Sequence, residues 1–223
     1  MLQGPAILPD TIKQAIILCH GYGSNGDDMA GLASCLSSTS PHTGFFCPNA
    51  PTPILWNGYE WFSLSDYSGA PEMADKNYLN ELVGRTKEAT YQLIDYIENI
   101  KQTYALEDHN IILGGFSQGG LMALYTGLFG AHNIAGIIGC STVPIVFDNN
   151  APISNLKRKI PILLTHGTQD DVVPVRSVDI TKFELQKAYI TPTIQLSNGL
   201  GHGIDDVCIK KIALFIHDIF SQN

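Results

Sequence analysis

The sequence predicts an α/β fold: one doubly wound, mostly parallel sheet with helices on both faces. Three observations carry that prediction. Short apolar runs rich in Ile, Val and Leu alternate with longer amphipathic runs, the order of βαβ units. The short runs mostly lack polar alternation, as strands buried on both faces do. The chain has 223 residues, 44% hydrophobic and 15% charged, enough for one domain over residues 1–223 with a substantial core.

Taken in order, Ala15–Cys19 is the first strand. It runs into "HGYGSNG", whose Gly21, Gly23 and Gly26 have the G-x-G-x-x-G spacing of a dinucleotide site. The partners of such a site are missing. No Asp or Glu lies between Met29 and Tyr59 to hold a ribose, and no Lys or Arg between Lys13 and Lys76 to receive a 2′-phosphate. Asp27 and Asp28 stand where the next helix begins, satisfy its N-terminus and repel a phosphate. The glycines therefore serve other chemistry. A helix over Asp28–Leu36 and a strand over Phe45–Cys47 follow.

Residues 48–75 break the pattern. They hold both tryptophans, four prolines and no cation, the composition of a functional loop. Trp56, Tyr59, Trp61 and Phe62 are expected either to line a substrate pocket or to form an apolar patch, closing a sheet edge or making a dimer contact. In the helix over Tyr78–Lys101, Val83, Thr86, Thr90, Leu93, Ile97 and Ile100 form one stripe and predict core packing. Asn110–Gly114 is a strand and Gln118–Phe129 a helix. Between them Gly115-Phe116-Ser117-Gln118-Gly119 reads G-x-S-x-G, a turn that lifts a serine above a sheet. Its flanking glycines permit close approach, and the helix it opens directs N–H groups towards developing negative charge. Strands over Ile134–Cys140, Ile162–Thr165 and Thr193–Leu196, with helices over Arg176–Ala188 and Ile204–Phe220, complete the chain.

A serine hydroxyl needs a base, and the base needs an orienting carboxylate. The order serine, acid, histidine, each after a later strand, suits this topology. "TQDDVVP" supplies Asp170 and Asp171 after one strand, and "GHG" supplies His202 after the next. His217 falls within the last helical pattern and reads as a surface residue. Acyl transfer also needs two N–H donors for an oxyanion. The residue after the serine, Gln118, offers one. The early glycine loop offers the other, at Tyr22, which gives Gly21 and Gly23 their purpose.

"LCHGYGSNGDD", "PNAPTPILWNGYEWFSL", "GGFSQGG", "HGTQDDVVP" and "GHGI", in that order, resemble the phospholipase/carboxylesterase family of α/β-hydrolases, which includes acyl-protein thioesterases. The resemblance covers nearly the whole chain. It implies the α/β-hydrolase fold, a triad of Ser117, Asp170 and His202, and no cofactor. It favours Asp170 because the family pattern H-G-x-x-D-x-x-V-P matches His166 to Pro174, with Asp171 where many relatives carry proline. The activity it implies is hydrolysis of small acyl esters through an acyl-enzyme on Ser117. Long-chain thioesterase or lysophospholipase activity is the alternative, and a catalytically silent ligand binder the alternative of another class.

A formal net charge of -8 argues against nucleic acid and anionic membrane surfaces as partners. Five widely spaced cysteines without a C-x-x-C point to a reducing compartment and away from a zinc site. His42, His109 and His132 show no metal-ligand spacing. "MLQGPAILPDTIK" has neither a basic n-region nor a long apolar h-region, and no apolar run has the length of a membrane span. A cytoplasmic location is expected.

Overall fold

The structure is a computed structural model and describes residues 1–64, 76–147 and 160–221. The end of the aromatic stretch, residues 65–75, and Asp148 lie outside the described residues. The chain runs β1 (Ala6–Ile7), β2 (Gln14–Cys19), α1 (Gly26–Ser37), β3 (Thr43–Phe46), β4 (Thr52–Ile54), β5 (Gly58–Glu60), α2 (Lys76–Tyr104), β6 (Ile111–Phe116), α3 (Gln118–Phe129), β7 (Gly136–Cys140), β8 (Ile162–Gly167), α4 (Arg176–Lys187), β9 (Thr193–Ser197) and α5 (Asp206–Phe220).

Seven strands form one sheet in the order β1-β3-β2-β6-β7-β8-β9. β1 pairs antiparallel to β3, and every other neighbour in that sheet is parallel. Alternation along each strand divides the core between two faces. Ile16 and Leu18 of β2 join Phe45, Ile112, Ile138 and Leu163 beneath α1 and α5. Ile17 and Cys19 join Ile111, Leu113, Ile137 and Leu164 against α2, α3 and α4. The stripe Val83, Thr86, Thr90, Leu93, Ile97 and Ile100 is buried along its length, so α2 is a core helix. No described helix is long and apolar enough to cross a membrane.

Three local features differ from the sequence reading. β1 has two residues, too few to show a period. β4 and β5 make a short hairpin inside the aromatic stretch, where Pro51 and Pro53 hide the strand pattern. β6 runs on through Gly115 and Phe116, so Ser117 follows the strand without a spacer.

Candidate active site

Ser117 stands between β6 and α3 with φ 53° and ψ -116°, a conformation that costs a residue with a Cβ roughly 1–3 kcal/mol. The surroundings enforce it. Ser117 N–H donates to the Cys140 carbonyl at 2.9 Å. A Cβ on Gly115 would collide with the Gly119 carbonyl, and one on Gly119 with the carbonyl oxygens of Cys19 and His20. Strand, turn and helix thus close together with no room for side chains at either glycine.

Asp170 follows β8, and its side chain is fully buried. Its Oδ1 accepts from the N–H groups of Val172 at 3.0 Å and Val173 at 2.7 Å. Its Oδ2 lies 2.8 Å from His202 Nδ1. A carboxylate facing Nδ1 assigns the proton to that nitrogen and leaves Nε2 with a free lone pair. Asp171, the competing acid, is exposed. His166, in β8, places Nε2 2.7 Å from the Val173 carbonyl and 3.3 Å from Asp170 Oδ2. Burial pulls its pKa below the ordinary histidine value, so it is neutral and donates from Nε2, chiefly to the nearer carbonyl.

His202 sits in the loop from β9 to α5. Gly203 carbonyl accepts from Ser141 Oγ at 3.2 Å, and Leu200 carbonyl accepts from Gln169 N–H at 2.9 Å. Asp205 caps α5 by accepting from Cys208 N–H at 2.9 Å and Ser197 Oγ at 3.0 Å. The imidazole packs on Phe116, with ring centroids 4.7 Å apart. Among the described residues no hydrogen bond joins Ser117 to His202. They meet as walls of one cavity, and bonds of this kind commonly tighten only with substrate bound.

Tyr22 and Gln118 border the same turn. Gln118 opens α3, where a first-turn N–H has no partner in its own helix. No described group accepts from Tyr22 N–H. The Tyr22 phenol is raised above its usual pKa by burial and by its hydrogen bond to Glu60. The glycine loop before α1 has no cradle for a pyrophosphate. Gly26 N–H donates to Asn49 Oδ1 at 2.7 Å, and Asn25 caps Asp27 and Asp28. A Cβ on Gly26 would strike the Cys47 carbonyl, so that glycine serves packing.

The cavity holds about 670 Å³. Ser117, His202, Tyr22, Ser24 and Asp28 are its polar lining; Met29, Leu32 and Cys35 of α1 and Ile204 and Ile209 beside and within α5 are among its apolar walls. None of Trp56, Tyr59, Trp61 and Phe62 is in the wall, so the pocket reading of these aromatics is corrected. Trp56 is 97% exposed at the hairpin tip, with φ 68°. Trp61 and Phe62 are core residues, and Tyr59 packs against that core while its backbone pairs with Gly23 and Ser24. The α1 wall was missed because Met29, Ala33 and Leu36 make a sufficient core stripe. Leu32 and Cys35 form a second stripe beside it, visible in the sequence as an extra i, i+3 pair.

Other candidates are accounted for locally. Burial raises the thiol pKa of Cys47 and Cys140 to about 12 and that of Cys19 further, which leaves these thiols protonated. His217 lies on the surface of α5. No cluster of three or more His, Cys, Asp or Glu suited to a metal occurs among the described residues.

Residues 9–220 match the family model described as Phospholipase/Carboxylesterase. The chain belongs to that family. Among phospholipase/carboxylesterase relatives, it is 28% identical to acyl-protein thioesterase 1 of Emericella nidulans, over 97% of this chain and 95% of that one. It is 31% identical to acyl-protein thioesterase 1 of Schizosaccharomyces pombe, over 71% of this chain and 69% of that one. The crystal structure of esterase PE8 superposes with a TM-score of 0.85 at 32% identity, covering 98% of this chain and 99% of that one.

Proposed function

We propose that the protein is a serine carboxylesterase whose triad is Ser117, Asp170 and His202. The buried Asp170–His202 pair, opening on the cavity that holds a strained serine, carries this reading. His202 Nε2 takes the Ser117 proton as Oγ attacks the acyl carbonyl. The N–H groups of Tyr22 and Gln118 receive the oxyanion. The imidazolium passes the proton to the leaving alkoxide, and an acyl-enzyme remains. Water, activated by His202, then releases the acid and restores Ser117. The chemistry is complete with these groups and calls for no cofactor.

Acyl-protein thioesterase or lysophospholipase activity is the second reading. A wall of Met29, Leu32, Ile204 and Ile209 extends well beyond an acetyl group, and two relatives carry the thioesterase name. The hairpin tip, with Leu55 82% exposed beside Trp56, suits an association surface such as a dimer contact better than an acyl pocket. Five free thiols fit a reducing compartment, and we place the protein in the cytoplasm.

The test is intact mass after fluorophosphonate treatment of the protein and of Ser117→Ala. One adduct on the native chain and none on the variant supports the reading. An unmodified, folded native chain overturns it. A series of esters and thioesters of increasing acyl length then separates the two substrate classes.

A further inference from the structure

Two buried side chains behind the cavity remain without a role in the mechanism: the Gln118 carboxamide and the Trp61 indole. Both are about 2% exposed, and both use every polar atom. Gln118 Oε1 accepts from Trp61 N–H at 3.0 Å, and Gln118 Nε2 donates to the Phe62 carbonyl at 2.8 Å. The amide at the head of α3 therefore clamps the backbone of residues 61–62 as an added strand would. Trp61 Nε1 in turn donates to the His20 carbonyl at 2.9 Å. His20 directly follows β2, two residues before Tyr22.

His20 closes the set. Its Nε2 accepts from Ala50 N–H at 2.9 Å, so that nitrogen carries no proton. Its Nδ1 therefore carries one and donates to the Gly21 carbonyl at 2.7 Å. The His20 and Trp61 rings lie 5.6 Å apart at 35°. Burial lowers the His20 pKa, which favours the neutral ring this pattern needs.

We propose that Trp61 and Gln118 are positioning residues that set the separation of the two oxyanion donors, through the chain of bonds Gln118 side chain–Trp61 backbone, Trp61 indole–His20 carbonyl. One donor, Gln118 N–H, belongs to the residue that grips residues 61–62. The other, Tyr22 N–H, lies just past the carbonyl that the indole holds. The two loops otherwise leave the end of the β2–β6 ladder, where Cys19 stands opposite Gly115, and meet through Gly119 against the Cys19 and His20 carbonyls, a contact that limits approach. The hydrogen-bonded strut supplies the restraint in the opposite sense. A donor pair preset to the tetrahedral oxygen stabilises the transition state more than the bound ester, and a displacement of about 1 Å costs on the order of 10²-fold.

This inference rests on the triad and oxyanion reading above, and the experiment separates the two. Trp61→Phe keeps a ring and removes the indole N–H. Gln118→Met keeps the length and removes both amide bonds. They act from opposite ends, so one folded variant suffices. Each is measured for kcat and KM on a short ester, for affinity towards an alkyl boronic acid that forms a tetrahedral serine adduct, and for the melting transition. The expected result is a fall in kcat of about 10- to 100-fold with KM within about threefold, matched by an equal fall in boronate affinity. The double variant loses no more than the worse single one, because either break opens the same strut. Unchanged kcat in a folded variant overturns the strut. So does a loss that tracks only the folded fraction, or a rise in KM with boronate affinity intact. Absence of fluorophosphonate labelling on the native protein overturns the triad reading and the strut with it.

Discussion

Asp170→Asn and Asp171→Asn differ by one position and are expected to differ by orders of magnitude. An amide at 170 has two orientations. With Nδ2 in place of Oδ1, it faces the N–H groups of Val172 and Val173 and strands two donors, that of Val173 buried. With Nδ2 in place of Oδ2, it keeps both backbone bonds and faces His202 Nδ1 at the 2.8 Å contact. The second is favoured. Nδ1 must then become the acceptor, so Nε2 carries the proton and cannot take one from Ser117. A wrong tautomer in this arrangement costs about 10⁴ in kcat, or about 5 kcal/mol of transition-state stabilisation. His166 does not relieve it, because its Nε2–H already points at the Val173 carbonyl. Asp171 is exposed, so its amide variant should stay within about twofold. The assay is steady-state hydrolysis of a chromogenic short ester, normalised to the folded fraction. Asp170→Asn within tenfold of the native rate, or a greater loss at 171, would refute the tautomer argument.

Three further outcomes are expected. Ser117→Gly removes the Cβ strain at φ 53° and should be inactive yet about 1 kcal/mol more stable than Ser117→Ala; equal denaturant midpoints would refute the strain. His20 and His166 are buried with pKa values below their ordinary 6.5, so the unfolded chain binds protons the native chain does not. Stability is then full above about pH 6.5 and falls below it, by at most about 1.4 kcal/mol per pH unit for each histidine; urea unfolding that is flat from pH 7 to 5 would count against this. Leu32→Trp narrows the apolar wall and should lower kcat/KM for long acyl esters while sparing short ones, read from a chain-length series. An equal loss at every length would place the acyl chain elsewhere.

Much of the fold was legible because parallel strands announce themselves. Ala15–Cys19 and Ile162–Thr165 are continuous apolar runs, and α2 repeats its stripe without interruption. β4 and β5 were hidden because three-residue strands in a proline-bearing stretch have no period to detect. The juxtaposition of Asp170 and His202 was legible from chain order, since parallel topology sends each strand end to the same edge. The family spacing H-G-x-x-D-x-x-V-P favoured Asp170 over Asp171, but the physical reason for that choice is not in the sequence. It depends on which carboxylate turns inward over the Val172 and Val173 N–H groups, a property of one loop's backbone. The aromatics misled for a related reason. Trp56 and Trp61 are alike in composition, yet a hairpin tip exposes one and a hydrogen bond to His20 buries the other.

The two halves of the site are built from different interactions, and this bears on how each tolerates change. Around Ser117, positions are set by buried hydrogen bonds and by glycines pressed against carbonyl groups. Each such group leaves an unpaired partner or a clash when altered, at roughly 1–3 kcal/mol apiece. The apolar wall of the cavity is different. Leu32 is partly buried and Cys35 exposed on α1, and Ile209 is partly buried on α5. They contribute surface, not polar partners, and apolar surface of similar volume can be exchanged for less than about 1.5 kcal/mol. Substitutions at Leu32, Cys35 and Ile209 should therefore change acyl-length preference with small shifts in melting. Substitutions at His20, Trp61, Gln118 or His166 should reduce turnover for every acyl length alike. Chain-length selectivity should thus be alterable on α1 and α5 without disturbing Ser117, because among the described residues no hydrogen bond links that wall to Ser117, Asp170 or His202.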